Sequence, residues 1–127
     1  MPVTDEFLIY LKDQLADMGP VTSRRMFGGA GLYCDGLIFA IVVDDVLYFK
    51  VDDTNRADYE AAGMGPFVFI SDRGQSTMGY YEVPANVLES KEKISQWART
   101  ALDVAESAKK RKPAKTTKTK LKKSDPG

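Results

Sequence analysis

The sequence predicts an α+β domain, and three observations carry that prediction. Stretches with apolar residues every three to four positions are interleaved with β-prone stretches, in the order helix, three antiparallel strands, helix, two strands, helix. The first strands are joined by very short turns, which leave no room for a parallel crossover and make the sheet an antiparallel meander. The chain has 127 residues and 43% apolar content, enough for a single domain with a real core.

The first helix is expected over 5–18. Phe7, Leu8, Leu11, Leu15 and Met18 share one stripe, and Lys12, Asp13, Gln14 and Asp17 lie opposite. Thr4 or Asp5 caps its start, and Gly19-Pro20 ends it. The first strand runs through 24–35, RRMFGGAGLYCD, where clustered glycines mark a bulge or sharp bend before a tight Asp35-Gly36 turn. The second strand, 37–43, is apolar on both faces, as in a central strand covered on each side or packed at a partner surface. An Asp44-Asp45 turn leads into the third, 46–51, where Leu47, Phe49 and Val51 face one way and Tyr48 and Lys50 the other.

A short helix over 53–62 comes next, capped among Asp53, Thr54 and Asn55 and ended by Gly63. A strand pair at 67–71 and 79–83 is expected after it, with a polar, mobile linker at 72–77. Pro84 opens a short turn, and Ser90 caps the last helix. In that helix Ile94, Trp97, Ala98, Ala101, Leu102 and Ala105 keep helical spacing, and the periodicity ends at Ala108.

The formal net charge of zero hides a division. Residues 1–108 hold 9 Lys and Arg against 17 Asp and Glu, a balance of −8. Residues 109–127 hold 9 Lys and Arg against Asp125 alone, a balance of +8. The chain therefore divides into a folded domain, 1–108, and a basic tail, 109–127. The tail, with one leucine and no aromatic residue, has too little apolar surface to offset the entropy of ordering and is expected to be disordered.

Absences narrow the chemistry. Without histidine, no imidazole acts as base, shuttle or metal ligand. With Cys34 alone, no internal disulfide or cysteine zinc cluster forms, which suits a reducing compartment. The amino terminus, MPVTDEF, is acidic and lacks an apolar segment, so it does not read as a signal peptide; the longest apolar run, 37–43, is too short for a bilayer. A cytoplasmic protein without a membrane partner is expected.

One pattern of residues runs through most of the chain. Arg24-Arg25-Met26-Phe27-Gly28-Gly29, Gly31-Leu32-Tyr33, Asp35-Gly36 and Phe39-Ala40 are followed by Leu47-Tyr48-Phe49-Lys50, Tyr59-Glu60-Ala61, Gly63-Met64 and Pro66-Phe67. Met78, Tyr80-Tyr81-Glu82-Val83-Pro84 and Trp97-Ala98-Arg99 complete the pattern, which covers 21–108. It resembles the N-terminal domain of the TfoX/Sxy competence regulators. The resemblance implies the same α+β fold and a role in transcription co-regulation, beside the cyclic-AMP receptor protein at competence promoters. Competence regulators of that family carry a second, small helical domain after this one; here residues 109–127 stand in its place.

Several residues could carry function. The glycines Gly28, Gly29 and Gly31 do not make a dinucleotide loop: the position completing G-x-G-x-x-G from Gly29 is Cys34, and a strand comes where a helix is needed. Neighbouring strand residues point to opposite faces, so Arg24 and Arg25 cannot form one clamp. One is expected to be solvated and the other paired with a local carboxylate, unless one binds a phosphate or partner carboxylate. Asp44-Asp45 and Asp52-Asp53 read as turn and cap residues, Cys34 as a small buried hydrophobe, and Trp97 as core; Tyr80 is left open as a stacking surface. A partner or ligand surface would comprise Arg24, Arg25, Gly28, Gly29, Gly31 and Tyr80.

The tail carries the strongest functional signal. Lys109, Lys110, Arg111, Lys112, Lys115, Lys118, Lys120, Lys122 and Lys123 resemble the basic arms that neutralise nucleic-acid phosphates, against the alternative of a solubility appendage. No nucleophile–base pair or cofactor fingerprint is legible, so neither an enzyme nor a cofactor is expected. The expectation is a regulatory or interaction module whose acidic body binds a protein and whose tail contacts DNA. A small-ligand or purely protein-binding domain is the alternative, and the oligomeric state is left open.

Overall fold

A computed structural model describes residues 3–26, 28–71 and 74–111. Helix α1, Asp5–Gln14, starts where the Thr4 hydroxyl accepts from the Phe7 amide at 3.2 Å, with Asp5 and Glu6 in the first turn to suit the helix dipole. It stops short of the expected end: Ala16–Met18 tightens into a single 3-10 turn before Gly19, whose φ of 121° ends the element. Leu8, Leu11 and Leu15 are buried as their spacing required. Gln14 departs from its expected polar face; it is buried and donates from Nε2 to the Leu88 carbonyl at 3.0 Å.

Six antiparallel strands make the sheet: β1, Thr22–Met26; β2, Gly29–Cys34; β3, Leu37–Val43; β4, Val46–Lys50; β5, Pro66–Ser71; and β6, Gly74–Glu82. They lie in the order β1-β2-β3-β4-β6-β5. The α+β class is as expected, but the strand count is not. The Arg24–Asp35 stretch is a hairpin rather than one bent strand, because Gly28, at φ 77°, reverses the chain between Met26 and Gly29. An irregularity does occur in this region: pairing shifts at Leu32/Tyr33, where Leu32 faces Ala40 and Tyr33 faces Ile38. Phe39 is the extra residue of that bulge, so Phe39 and its neighbour Ala40 are both buried.

Two tight turns place aspartates in the left-handed region. Asp35 and Gly36 take φ of 54° and 78°, and Asp44 and Asp45 take 54° and 58°, the geometry of two-residue hairpins. The Asp45 carboxylate accepts from the Thr4 amide at 2.9 Å and the Thr4 hydroxyl at 3.0 Å, tying the β3–β4 turn to the start of α1. The second hairpin also departs from expectation. Ser71 pairs with Gly74, so residues 74–77 extend β6 where a polar linker was expected.

Helix α2, Arg56–Ala61, is shorter than expected because 52–55 form a hydrogen-bonded entry loop. Asp52 accepts from the Thr54 amide at 2.8 Å, and Asn55 accepts from the Asp52 amide at 2.9 Å while donating to the Lys50 carbonyl at 3.2 Å. After α3, Ala85–Leu88, the long helix α4, Lys91–Arg111, is capped by Ser90 through the Lys93 amide at 3.2 Å.

The core sits between α4 and one face of the sheet. Ile94, Ala98 and Ala101 meet Leu32, Phe39, Ala40, Val42 and Phe49, all fully buried; the alanines let the helix approach closely. Trp97 and Leu102 flank this stripe half-buried, and Val104 joins it. Helix α4 continues through Lys109, Lys110 and Arg111, three residues past the expected start of the tail. Residues 112–127 lie outside the described residues.

Candidate functional site

The glycines of the β1–β2 hairpin are explained by crowding more than by torsion. A Cβ at Gly29 would stand 2.4 Å from the Val42 carbonyl oxygen. One at Gly31 would stand 2.8 Å from Met26 Cε and 2.9 Å from Ile38 Cδ1. Both glycines are buried, so their backbone does not offer an open ligand cradle. Gly28 alone is exposed, at the turn.

Arg24 and Arg25 do not act as a pair. In the β1–β2 register Arg24 faces Gly31 and Arg25 faces Ala30, which sets them on opposite faces of an edge strand. Arg25 donates to the Val3 carbonyl at 2.8 Å and forms an ion pair with Asp5, while Arg24 is exposed. Tyr80 is no surface residue: it is 5% exposed, and Lys50 Nζ lies 5.2 Å from its ring centroid. The expected surface of Arg24, Arg25, Gly28, Gly29, Gly31 and Tyr80 therefore does not assemble, since alternation splits the arginines and burial removes Gly29, Gly31 and Tyr80.

Of the tail residues, Lys109, Lys110 and Arg111 close α4. Lys112, Lys115, Lys118, Lys120, Lys122 and Lys123 lie outside the described residues.

Cys34 is 3% exposed, and burial, then the nearby Asp35 and Glu106 charges, push its thiol up from its ordinary value, which keeps it protonated and inert at neutral pH. Asp53 is taken up by Arg56 at 2.5 Å. Among the described residues no group of three or more His, Cys, Asp or Glu is placed to hold a metal ion, and no helix is long and apolar enough to cross a membrane.

A site that the sequence did not reveal lies between α2 and α4. A cavity of about 210 Å³ is lined by Asn55, Asp58 and Tyr59 from the α2 side and Gln96, Trp97 and Thr100 from α4. Tyr59 forms its floor, 1% exposed, with its ring against Tyr81 at 5.9 Å and Trp97 at 4.8 Å between centroids. Among the described residues its buried hydroxyl finds no hydrogen-bond partner, and burial, then the Asp58 charge, drive its pKa well up. Asn55 is consumed in the entry loop, and the Thr100 hydroxyl donates to the Gln96 carbonyl at 3.2 Å. Asp58 stands exposed as the one charged residue of the lining. Trp97 falls at the edge of its helical stripe, beside Gln96 and one turn before Thr100; that border position was the available signal.

Comparison with known proteins gives the chain's family. Residues 13–105 match the family model of the TfoX N-terminal domain. The chain is 28% identical over 112 residues to Protein Sxy of Escherichia coli (strain K12), covering 87% of this chain and 52% of that protein. It is 26% identical over 102 residues to the DNA transformation protein TfoX1 of Aliivibrio fischeri (strain ATCC 700601 / ES114), covering 75% of this chain and 49% of that protein. The chain thus spans about half the length of the curated relatives it matches.

Proposed function

The chain belongs to the TfoX N-terminal domain family, and from that premise we propose that it is a non-enzymatic regulatory domain of the competence kind. Its acidic body binds a protein partner, and its basic tail holds the complex near DNA. The observation that carries the reading is the charge division: −8 over residues 1–108 against +8 over 109–127. DNA repels the first and attracts the second, so one chain holds two surfaces suited to different macromolecules. The name of the Aliivibrio relative, a DNA transformation protein, supports the competence assignment.

The family match and the charge division support a cytoplasmic, DNA-associated role in transcription regulation. A gel-shift comparison tests it. The full chain is expected to retain duplex DNA at low salt, without sequence preference, and a chain ended at Ala108 to lose that retention. Retention that survives the shortening would move DNA contact onto the body. A full chain that never binds would leave the tail as a solubility appendage.

A further inference from the structure

We propose that the sheet face turned away from the helices joins two copies of this chain. The copies pair about a two-fold axis running along β3 at Ile41, so that Arg24 of each meets Glu82 of the other. The inference goes beyond the function given above and calls on neither the tail nor DNA.

The composition of that face comes first. Helices α1, α2, α3 and α4 put Leu11, Tyr59, Val87 and Ile94 into one core with Leu32, Ala40 and Phe49. The reverse face is left without a helix among the described residues. An antiparallel sheet with one solvated face is ordinarily polar on that side. Here alternation sets Met26, Tyr33, Ile38, Ile41, Val43 and Tyr48 there, half-buried and outside the core cluster. Three of them close over Gly31: a Cβ at that glycine would meet Met26 Cε, Ile38 Cδ1 and Tyr33 Cε1 at 2.8, 2.9 and 3.2 Å. Phe67 extends the patch to β5, its ring 5.1 Å from that of Tyr48. A contiguous apolar face of this kind marks an interaction surface.

Charge chooses the occupant. One row of paired residues crosses five strands: Arg24, Gly31, Ile41, Tyr48 and Glu82. Ile41 is its middle, with Arg24 two strands away on one side and Glu82 two strands away on the other. Both end residues are exposed, and neither makes an ion pair among the described residues. At about 4.8 Å per strand they stand roughly 19 Å apart, too far to pair within one chain. A two-fold interface must be complementary to itself. Turning a second copy over about β3 lays its row on the first in reverse, apolar centre on apolar centre and each arginine on a glutamate. Facing sheets pack about 10 Å apart with strands within about 30°, a gap that long side chains at the row's ends can bridge. Lys50, also on this face, lies over the Tyr80 ring at 5.2 Å.

Sedimentation equilibrium of the full chain over a range of concentrations, without DNA, tests the pairing. A reversible monomer–dimer equilibrium is expected, and Ile41→Lys should be monomeric because two like charges then meet on the axis. Arg24→Glu and Glu82→Arg should each weaken association about tenfold or more, since each sets like charges together at both ends of the row. The two single variants mixed in equal amounts, and the double variant by itself, should regain association. Circular dichroism verifies that each variant is folded; the exposed end residues decide the matter even where Ile41→Lys unfolds. A full chain that is monomeric at every concentration would overturn the proposal. So would a dimer indifferent to a folded Ile41→Lys, as association between tail and acidic body would be, or single reversals that mixing and doubling fail to rescue.

Discussion

Trp97 stands edge-on to Tyr59, with ring centroids 4.8 Å apart, and so joins α4 to α2. Helix α2 has only six residues and could not persist without such docking. Trp97→Ala is expected to cost about 3 kcal/mol, the low end for a large aromatic, because the ring is only half-buried. Urea denaturation measures it, and a loss below about 1 kcal/mol would remove Trp97 from the packing.

Tyr59 carries the opposite expectation. Its hydroxyl is buried with no hydrogen-bond partner among the described residues, a state that costs about 1–3 kcal/mol relative to a bonded one. Tyr59→Phe keeps the ring contacts with Trp97 and Tyr81 and removes the orphaned group. The variant should melt at or above the wild-type temperature. A clear drop would mean that the hydroxyl has a bonding role.

Gly31→Val and Gly29→Val should each lose more stability than Arg24→Ala. A carbon added at Gly29 would stand 2.4 Å from the Val42 carbonyl oxygen, which is fixed in the sheet, and one at Gly31 would have to displace the ends of the Met26 and Ile38 side chains; overpacking of this kind costs roughly 1–3 kcal/mol. Arg24 is exposed, and its loss should fall within about 0.5 kcal/mol. Equal melting temperatures for all three would contradict the crowding.

Alkaline pH should destabilise the fold. Burial is the leading cause that raises Tyr48, Tyr59 and Tyr80 above their ordinary value of 10.0, and Cys34 above 9.0. As pH rises the unfolded chain loses these protons first and so binds fewer than the native state, which lowers stability. The contribution is complete below pH 9, begins to fall as the unfolded thiol and then the phenols ionise, and is gone once pH passes the raised native values. A melting series from pH 7 upward should decline beyond pH 9, and less steeply in Tyr59→Phe. A flat series would contradict the sign.

What the sequence revealed was local chemistry. An unbroken apolar run placed β3 and alternation placed β4, Asp35-Gly36 and Asp44-Asp45 read directly as tight turns, and Thr4 and Ser90 as caps, because each depends on neighbours along the chain. The β1–β2 hairpin was harder. Glycines at 28, 29 and 31 serve a bend and a reversal equally well, and the contact of Gly29 with Val42 exists only once the sheet is paired. The start of β6 at Gly74 was hidden because its polar residues, Gln75 to Thr77, pair with β5 through backbone groups. The cleft was the least legible, since Asp58 and Tyr59 meet Trp97 only through the packing of α2 beside α4.

The salt dependence of DNA binding by the full chain tests the charge division most directly. Residues 109–127 carry nine Lys and Arg against Asp125 alone, a balance of +8 opposite the −8 of the body. With about six to nine basic groups on phosphates, log K should fall against log salt with a slope of about −5 to −8, and a chain ended at Ala108 should show no measurable binding. A slope near zero, or an unchanged affinity after shortening, would contradict the account.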